Sequence, residues 1–201
     1  MAVLLVATTN RGKVAEYNSL LSGLGLELVT LDQAGISQEA EENFDTFTEN
    51  ARSKAIFYAG LSGLLTLADD SGLEVAALGG EPGVRSSRYA GNNASDADRI
   101  SFLLNKLKDV PPEKRQARFK CVISIASPDG HAETVSGECE GMIAPEPRGE
   151  HGFGYDPIFY LPEYGKTIAE IAPGLKNEIS HRGRAARKAR EVLVRMLAGK
   201  T

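Results

Sequence analysis

Apolar positions along this chain change their spacing several times, and each change marks an element. Val3 to Ala7 is a continuous apolar run of strand length, Lys13 to Leu24 carries Val14, Tyr17, Leu21 and Leu24 at helical spacing, and Leu26 to Leu31 alternates. Gly23 and Gly25 supply the helix stop. After a polar, acidic loop, Thr46-x-x-Glu49 forms a capping box ahead of a helix face made by Phe47, Ala51, Ala55, Tyr58 and Ala59. The next predicted strand is Leu64 to Ala68, ending in Asp69-Asp70-Ser71-Gly72. Glu81 to Asn93 reads as an irregular loop, and Ser95 caps a helix carrying Ile100, Leu103, Leu104 and Leu107 that Pro111-Pro112 closes. Arg118 to Ser127 and Ala132 to Ile143 flank the hairpin signal Pro128-Asp129-Gly130. A Gly-rich loop, Gly149 to Asp156, leads into the strand Pro157 to Leu161, and Ser180 opens an amphipathic last helix.

Strands and helices alternate early and a hairpin enters late, an order that predicts an α/β protein with a mixed sheet. The 201 residues, 42% hydrophobic and 25% charged, suffice for one sizeable core or two modest lobes and exclude a disordered or fibrous chain. With no internal repeat and no linker, residues 1–201 read as a single domain. The first apolar run lacks a basic flank and a small-residue cleavage site, so a strand is expected there rather than a signal peptide. No stretch approaches the length of a membrane span, and no membrane partner is expected. Cys121 and Cys139 lie in strand-like runs and are expected as buried free thiols in a reducing cytoplasm.

Lys plus Arg number 23 against 27 Asp plus Glu, a net charge of -4 that gives no bulk support for nucleic-acid binding. The average hides a partition. Eight acids and no Lys or Arg lie from Val14 to Ala51, whereas Lys176 to Thr201 carries eight Lys or Arg against two Glu.

Five stretches carry candidate chemistry. Thr8-Thr9-Asn10-Arg11-Gly12-Lys13 sits between the first strand and first helix, where backbone N–H groups and helix dipole favour phosphate; plain N-capping by Thr9 or Asn10 is an equal reading. Glu41-Glu42 and Asp69-Asp70 could together hold a hard cation, with only one of the second pair facing the site; an Asx turn is the alternative for Asp69-Asp70. Gly152-Phe153-Gly154-Tyr155-Asp156-Pro157 offers a stacking ring between glycines, or a turn whose aromatics plug the core. Ser180-His181-Arg182-Gly183 places cations at the positive end of a helix, which calls for a compensating anion or for side chains bent into water. Arg184, Arg187, Lys188 and Arg190 read as a solvated face. Together these residues suggest a Mg²⁺-dependent enzyme acting on a phosphorylated small molecule, with a nucleotide-sensing module and a basic-helix RNA binder as rivals.

In order and over nearly the whole chain, these stretches resemble the inosine triphosphate pyrophosphatase family, also called Ham1. The resemblance rests on Thr8 to Lys13, Glu41-Glu42 through Asn50-Ala51 to Lys54, Ala68 to Leu73, Gly80 to Tyr89, Gly152 to Pro157, and Lys176 to Gly183. It implies an elongated mixed sheet flanked by helices, a homodimer, and Mg²⁺-dependent hydrolysis of dITP, ITP and XTP to the monophosphate and pyrophosphate. By the same resemblance, Thr8, Thr9, Asn10, Arg11, Gly12, Lys13 and Lys54 would hold the triphosphate. Glu41 and Asp70 would bind metal, Asp70 would also accept a proton, and Ser71 would touch substrate. Phe153, Gly154, Tyr155, Asp156, Lys176, His181 and Arg182 would hold the base. A pyrophosphatase of the related Maf type, with another base preference, is the rival enzyme; the His181-Arg182 and Phe153 to Asp156 matches speak against it.

Overall fold

The computed structural model describes residues 2–198. Met1 and residues 199–201, part of the expected domain 1–201, lie outside the described residues. The chain packs as two compact units. The first takes in the segments up to Asp70, Cys121–Gly137, and Arg182 onward; the second takes in Ser71–Lys120 and Glu138–His181.

Seven strands form one sheet in the order β2-β1-β3-β4-β5-β6-β7. They are β1 (Ala2–Val6), β2 (Leu26–Thr30), β3 (Leu65–Val75), β4 (Gln116–Ala126), β5 (Ala132–Ile143), β6 (Phe159–Leu161) and β7 (Lys166–Thr167). β1 pairs in parallel with β2 and β3, Leu4 standing opposite Leu28 and Leu65, while β5–β6 and β6–β7 are antiparallel. The mixed sheet of the sequence reading is therefore present. The helices are α1 (Arg11–Leu20), α2 (Phe47–Ser62), α3 (Asp96–Lys106), α4 (Pro173–Ile179) and α5 (His181–Ala198). The expected caps form: Asn10 accepts the Lys13 N–H, Thr46 that of Glu49, and Ser95 makes a full capping box with Asp98.

In the first unit, alternation along the strands sorts side chains into two cores. Leu4 and Val6 of β1 and Leu65 and Leu67 of β3 join Tyr17 and Leu21 at α1 and Ala185, Ala189 and Leu193 of α5. Leu5, Ala7 and Ala68 point the other way, onto Ala55, Tyr58 and Ala59 of α2. In the second unit, Leu73 and Val75 pack with Ile100, Leu103 and Leu107 and with Phe119, Cys139 and Phe159. A Cβ on Gly141 would lie 2.5 Å from the Tyr160 carbonyl oxygen, so glycine is what admits the close approach of β6.

Three local readings are corrected. β3 does not stop at Ala68; it runs through Asp69, Asp70, Ser71 and Gly72 to Val75, so there is no Asx turn. The stretch from Pro157 begins with a single 3₁₀ turn at Asp156–Ile158, and only Phe159–Leu161 is strand, because Pro157 has no N–H for a ladder. α4, a seven-residue helix with Pro173 in its first turn, lies where no helix was expected. Cys121 and Cys139 are buried and free, as the sequence reading had them.

Candidate active site

Because β3 continues, Asp69 follows Leu67 onto the face shared by α1 and α5, and Asp70 follows Ala68 onto the face of α2. The two neighbouring carboxylates thus enter different environments. Asp69 is fully buried, 2.9 Å from Lys13 Nζ and 3.5 Å from the Arg182 guanidinium, which also donates to Glu16 at 2.7 Å. Burial alone would raise the Asp69 pKa, but Lys13, Arg182 and Lys54 outweigh it and hold the carboxyl well below the usual carboxylate range. This cluster is also the answer to the cationic start of α5. Glu16 and Asp69 are the compensating anions, and the Arg182 guanidinium is nearly fully buried rather than bent into water.

Asp70 has the opposite balance. Its Oδ2 accepts one hydrogen bond from Asn50 Nδ2 at 3.0 Å. Burial raises its pKa more than Lys13 and Lys54 lower it, and the result is about 6. Asn50, Lys54 and Tyr58 lie on one stripe of α2 and bind the preceding acidic loop. The Tyr58 hydroxyl accepts the Ala40 N–H and donates to the Gln38 carbonyl, Asn50 holds both backbone polar groups of Phe44, and Lys54 pairs with Glu42. Glu41 is exposed, with Oε2 accepting from Asn43 at 3.2 Å. Asn50→Ala removes three hydrogen bonds, two to backbone and one to a buried carboxylate. Chemical denaturation is expected to show a loss of about 1–3 kcal/mol, together with reduced turnover from a loosened acidic loop.

The start of α1 shows Asn10 as an N-cap, its side chain accepting the Lys13 N–H at 3.0 Å while its own N–H donates to Thr8 Oγ1 at 3.2 Å. Thr9 and Arg11 are exposed, Thr8 and Gly12 half-buried, and Ser71 is half-buried on β3. Arg190 is not merely a solvated residue, since it donates to the Leu20 and Ser22 carbonyls and so closes the end of α1. Among the described residues there is no group of three or more His, Cys, Asp or Glu placed to hold a metal. A desolvated Asp70 with Glu42 close enough to act on its charge nonetheless suits Mg²⁺, which keeps several waters and takes one or two carboxylates plus substrate phosphate.

In the second unit the Gly-rich loop is tied down by its own acid. Asp156 Oδ2 accepts the Phe153 N–H at 2.9 Å and Lys176 Nζ at 2.6 Å, and the Lys176 ammonium stands 5.0 Å from the centre of the Phe153 ring. A Cβ on Gly152, at φ +80°, would fall 2.0 Å from that carboxylate oxygen, so only glycine admits the pair. Phe153 is half-buried, whereas Tyr155 is buried in the core and donates through its hydroxyl to the Ser86 carbonyl at 3.0 Å. The two aromatics divide the alternative readings between them: Tyr155 plugs the core and Phe153 leaves a face. The His181 ring stacks on Phe119 at 4.6 Å.

A model of the Ham1 family matches residues 4–192. The chain belongs to the Ham1 family. A dITP/XTP pyrophosphatase of Desulforamulus reducens is 50% identical over 193 residues, 96% of each chain. One of Thermus thermophilus is 51% identical over 183 residues, 91% of this chain and 87% of that protein. Among solved structures, a HAM1 protein from Coxiella burnetii superposes with a TM-score of 0.88 at 44% identity, covering 97% of this chain and all of the other. Within this Ham1 chain, Asn50 as the Asp70 partner and Asp69 as the hub of an ion cluster escaped the sequence reading. The cationic start of α5 was the one local signal that an anion such as Asp69 had to be near.

Proposed function

We propose that this protein hydrolyses purine nucleoside triphosphates with non-standard bases, dITP, ITP and XTP, to the monophosphate and pyrophosphate. The observation that carries the reading is Asp70, a buried carboxylate at about 6 flanked electrostatically by Lys13 and Lys54. That value belongs to the metal-free protein; a bound Mg²⁺ would lower it, so orienting the attacking water would be the main role of Asp70 and taking its proton a secondary one. Asp70 would orient the water that attacks the α-phosphorus and accept its proton as the bond to pyrophosphate breaks. Lys13 and Lys54, with Thr8 to Gly12, would bind the charge on the phosphate oxygens.

Mg²⁺ is the implied cofactor, held by Asp70 and Glu41; when bound it would neutralise phosphate charge and acidify a ligating water. The engagement of Asp69 by Lys13 and Arg182, and of Glu42 by Lys54, supports assigning the ligands to the other member of each pair. Phe153 would stack on the base, with Lys176 and Asp156 fixing its loop. A donor facing position 6 accepts hypoxanthine and xanthine and rejects adenine. His181 suits that role better than Arg182, whose guanidinium already serves Glu16 and Asp69.

The resemblance also supports a homodimer, and two buried free thiols fit a cytoplasmic setting. No described helix is long and apolar enough to cross a membrane. Pyrophosphate release measured for ITP, XTP, GTP and ATP, with Mg²⁺ and with chelator, tests the proposal. Release from ITP and XTP that needs Mg²⁺ is expected. Orthophosphate as first product, or equal rates for all four, would overturn it.

A further inference from the structure

The Phe153 loop has a tether that lies outside its own motif. Gly154, in a left-handed conformation at φ +63°, donates its N–H to Asp96 Oδ2 at 2.7 Å. Asp96 is the first residue of α3 and lies 58 positions away in sequence. Its other oxygen pairs with Arg99, which also donates to the Ser87 and Ala94 carbonyls. The carboxylate is therefore itself held in place, although its side chain is 45% exposed. Three successive residues are fixed in this way: the Phe153 N–H by Asp156, the Gly154 N–H by Asp96, and the Tyr155 hydroxyl by the Ser86 carbonyl.

We propose that Asp96 is a positioning residue for substrate recognition, setting where the Phe153 ring stands by holding the Gly154 amide. The other two anchors lie within the family motif or reach it through a buried ring. Asp96 restrains Gly154, a loop residue next to Phe153 whose backbone, lacking a Cβ, has more conformations open to it. A charge-assisted hydrogen bond of this kind limits the loop to one conformation before substrate arrives. The inference rests on the reading of Phe153 to Asp156 as the base-holding loop.

Steady-state kinetics with XTP and amide hydrogen exchange of the unliganded protein test it on four variants. Asp96→Ala is expected to raise KM about tenfold with kcat within about twofold, and to speed exchange across 152–156. Asp96→Asn, whose amide oxygen can still accept the Gly154 N–H, should restore most of both. Asp98→Ala breaks the α3 capping box without touching Gly154 and should leave KM and loop exchange near wild type. The proposal is overturned if Asp96→Ala leaves KM unchanged, or if Asp98→Ala raises it equally. Phe153→Ala separates the two levels. An unchanged KM there removes the base-loop reading and the role of Asp96 with it, whereas a raised KM beside an inert Asp96→Ala removes the Asp96 role alone.

Discussion

Replacing Asp70 by Asn is expected to abolish most turnover while making the protein more stable. The amide keeps the size of the carboxylate and can still meet Asn50, but it can neither take a proton nor carry charge. A loss in kcat of about 10²–10⁴ is expected, with nucleotide affinity changed far less, because Lys13 and Lys54 remain. The stability change follows from the sign of the pKa shift. Burial raises Asp70 to about 6, so at neutral pH folding works against the ionised form. Removing that charge should stabilise the metal-free fold by on the order of 1–2 kcal/mol, a trade of stability for activity. Chemical denaturation in chelator and single-turnover kinetics check the two halves. Equal losses in kcat and affinity would contradict the assigned role.

The adjacent carboxylate should behave in the opposite way. Asp69→Asn leaves Lys13 and the nearly fully buried Arg182 without their shared counter-charge, and breaking a buried ion pair from one side costs about 3–5 kcal/mol. That is a large part of the stability of an ordinary domain. The pH dependence has a definite sign. The Asp69 pKa is lowered on folding, so its contribution is present above the unfolded value near 3.8 and is lost as pH falls through that value toward the folded one. Wild type should therefore lose its advantage over Asp69→Asn in acid, and the two denaturation midpoints should converge below about pH 4. Midpoints that differ by the same amount at pH 7 and in acid would argue against a charged cluster.

Neither contrast could be read from Asp69-Asp70-Ser71-Gly72 alone. Locally that tetrapeptide is a turn sequence, and the strand continues through it because Lys13, Arg182 and Asn50 satisfy the polar side chains from other elements. What the chain did reveal were features set by neighbours in sequence: the caps at Asn10, Thr46 and Ser95, the alternation of β1, the hairpin, and the glycines around Phe153. The unforeseen features depend on distant partners, such as Asp96 reaching Gly154, Tyr155 anchored on Ser86, and Glu16 answering the cationic start of α5. α4 escaped notice because seven residues with a proline in the first turn carry little helical periodicity.

The bonds between the first and last helices have a consequence for synthesis of the chain. Glu16 waits for Arg182, 166 positions later, and the final carbonyls of α1 wait for Arg190, 170 positions after Leu20. A nascent chain emerging from the ribosome carries Lys13 and Asp69 well before the arginine of α5 that completes their charge balance. The α1 segment, made long before α5, is thus among the later parts to mature, and premature termination before α5 would leave that earlier segment unfinished.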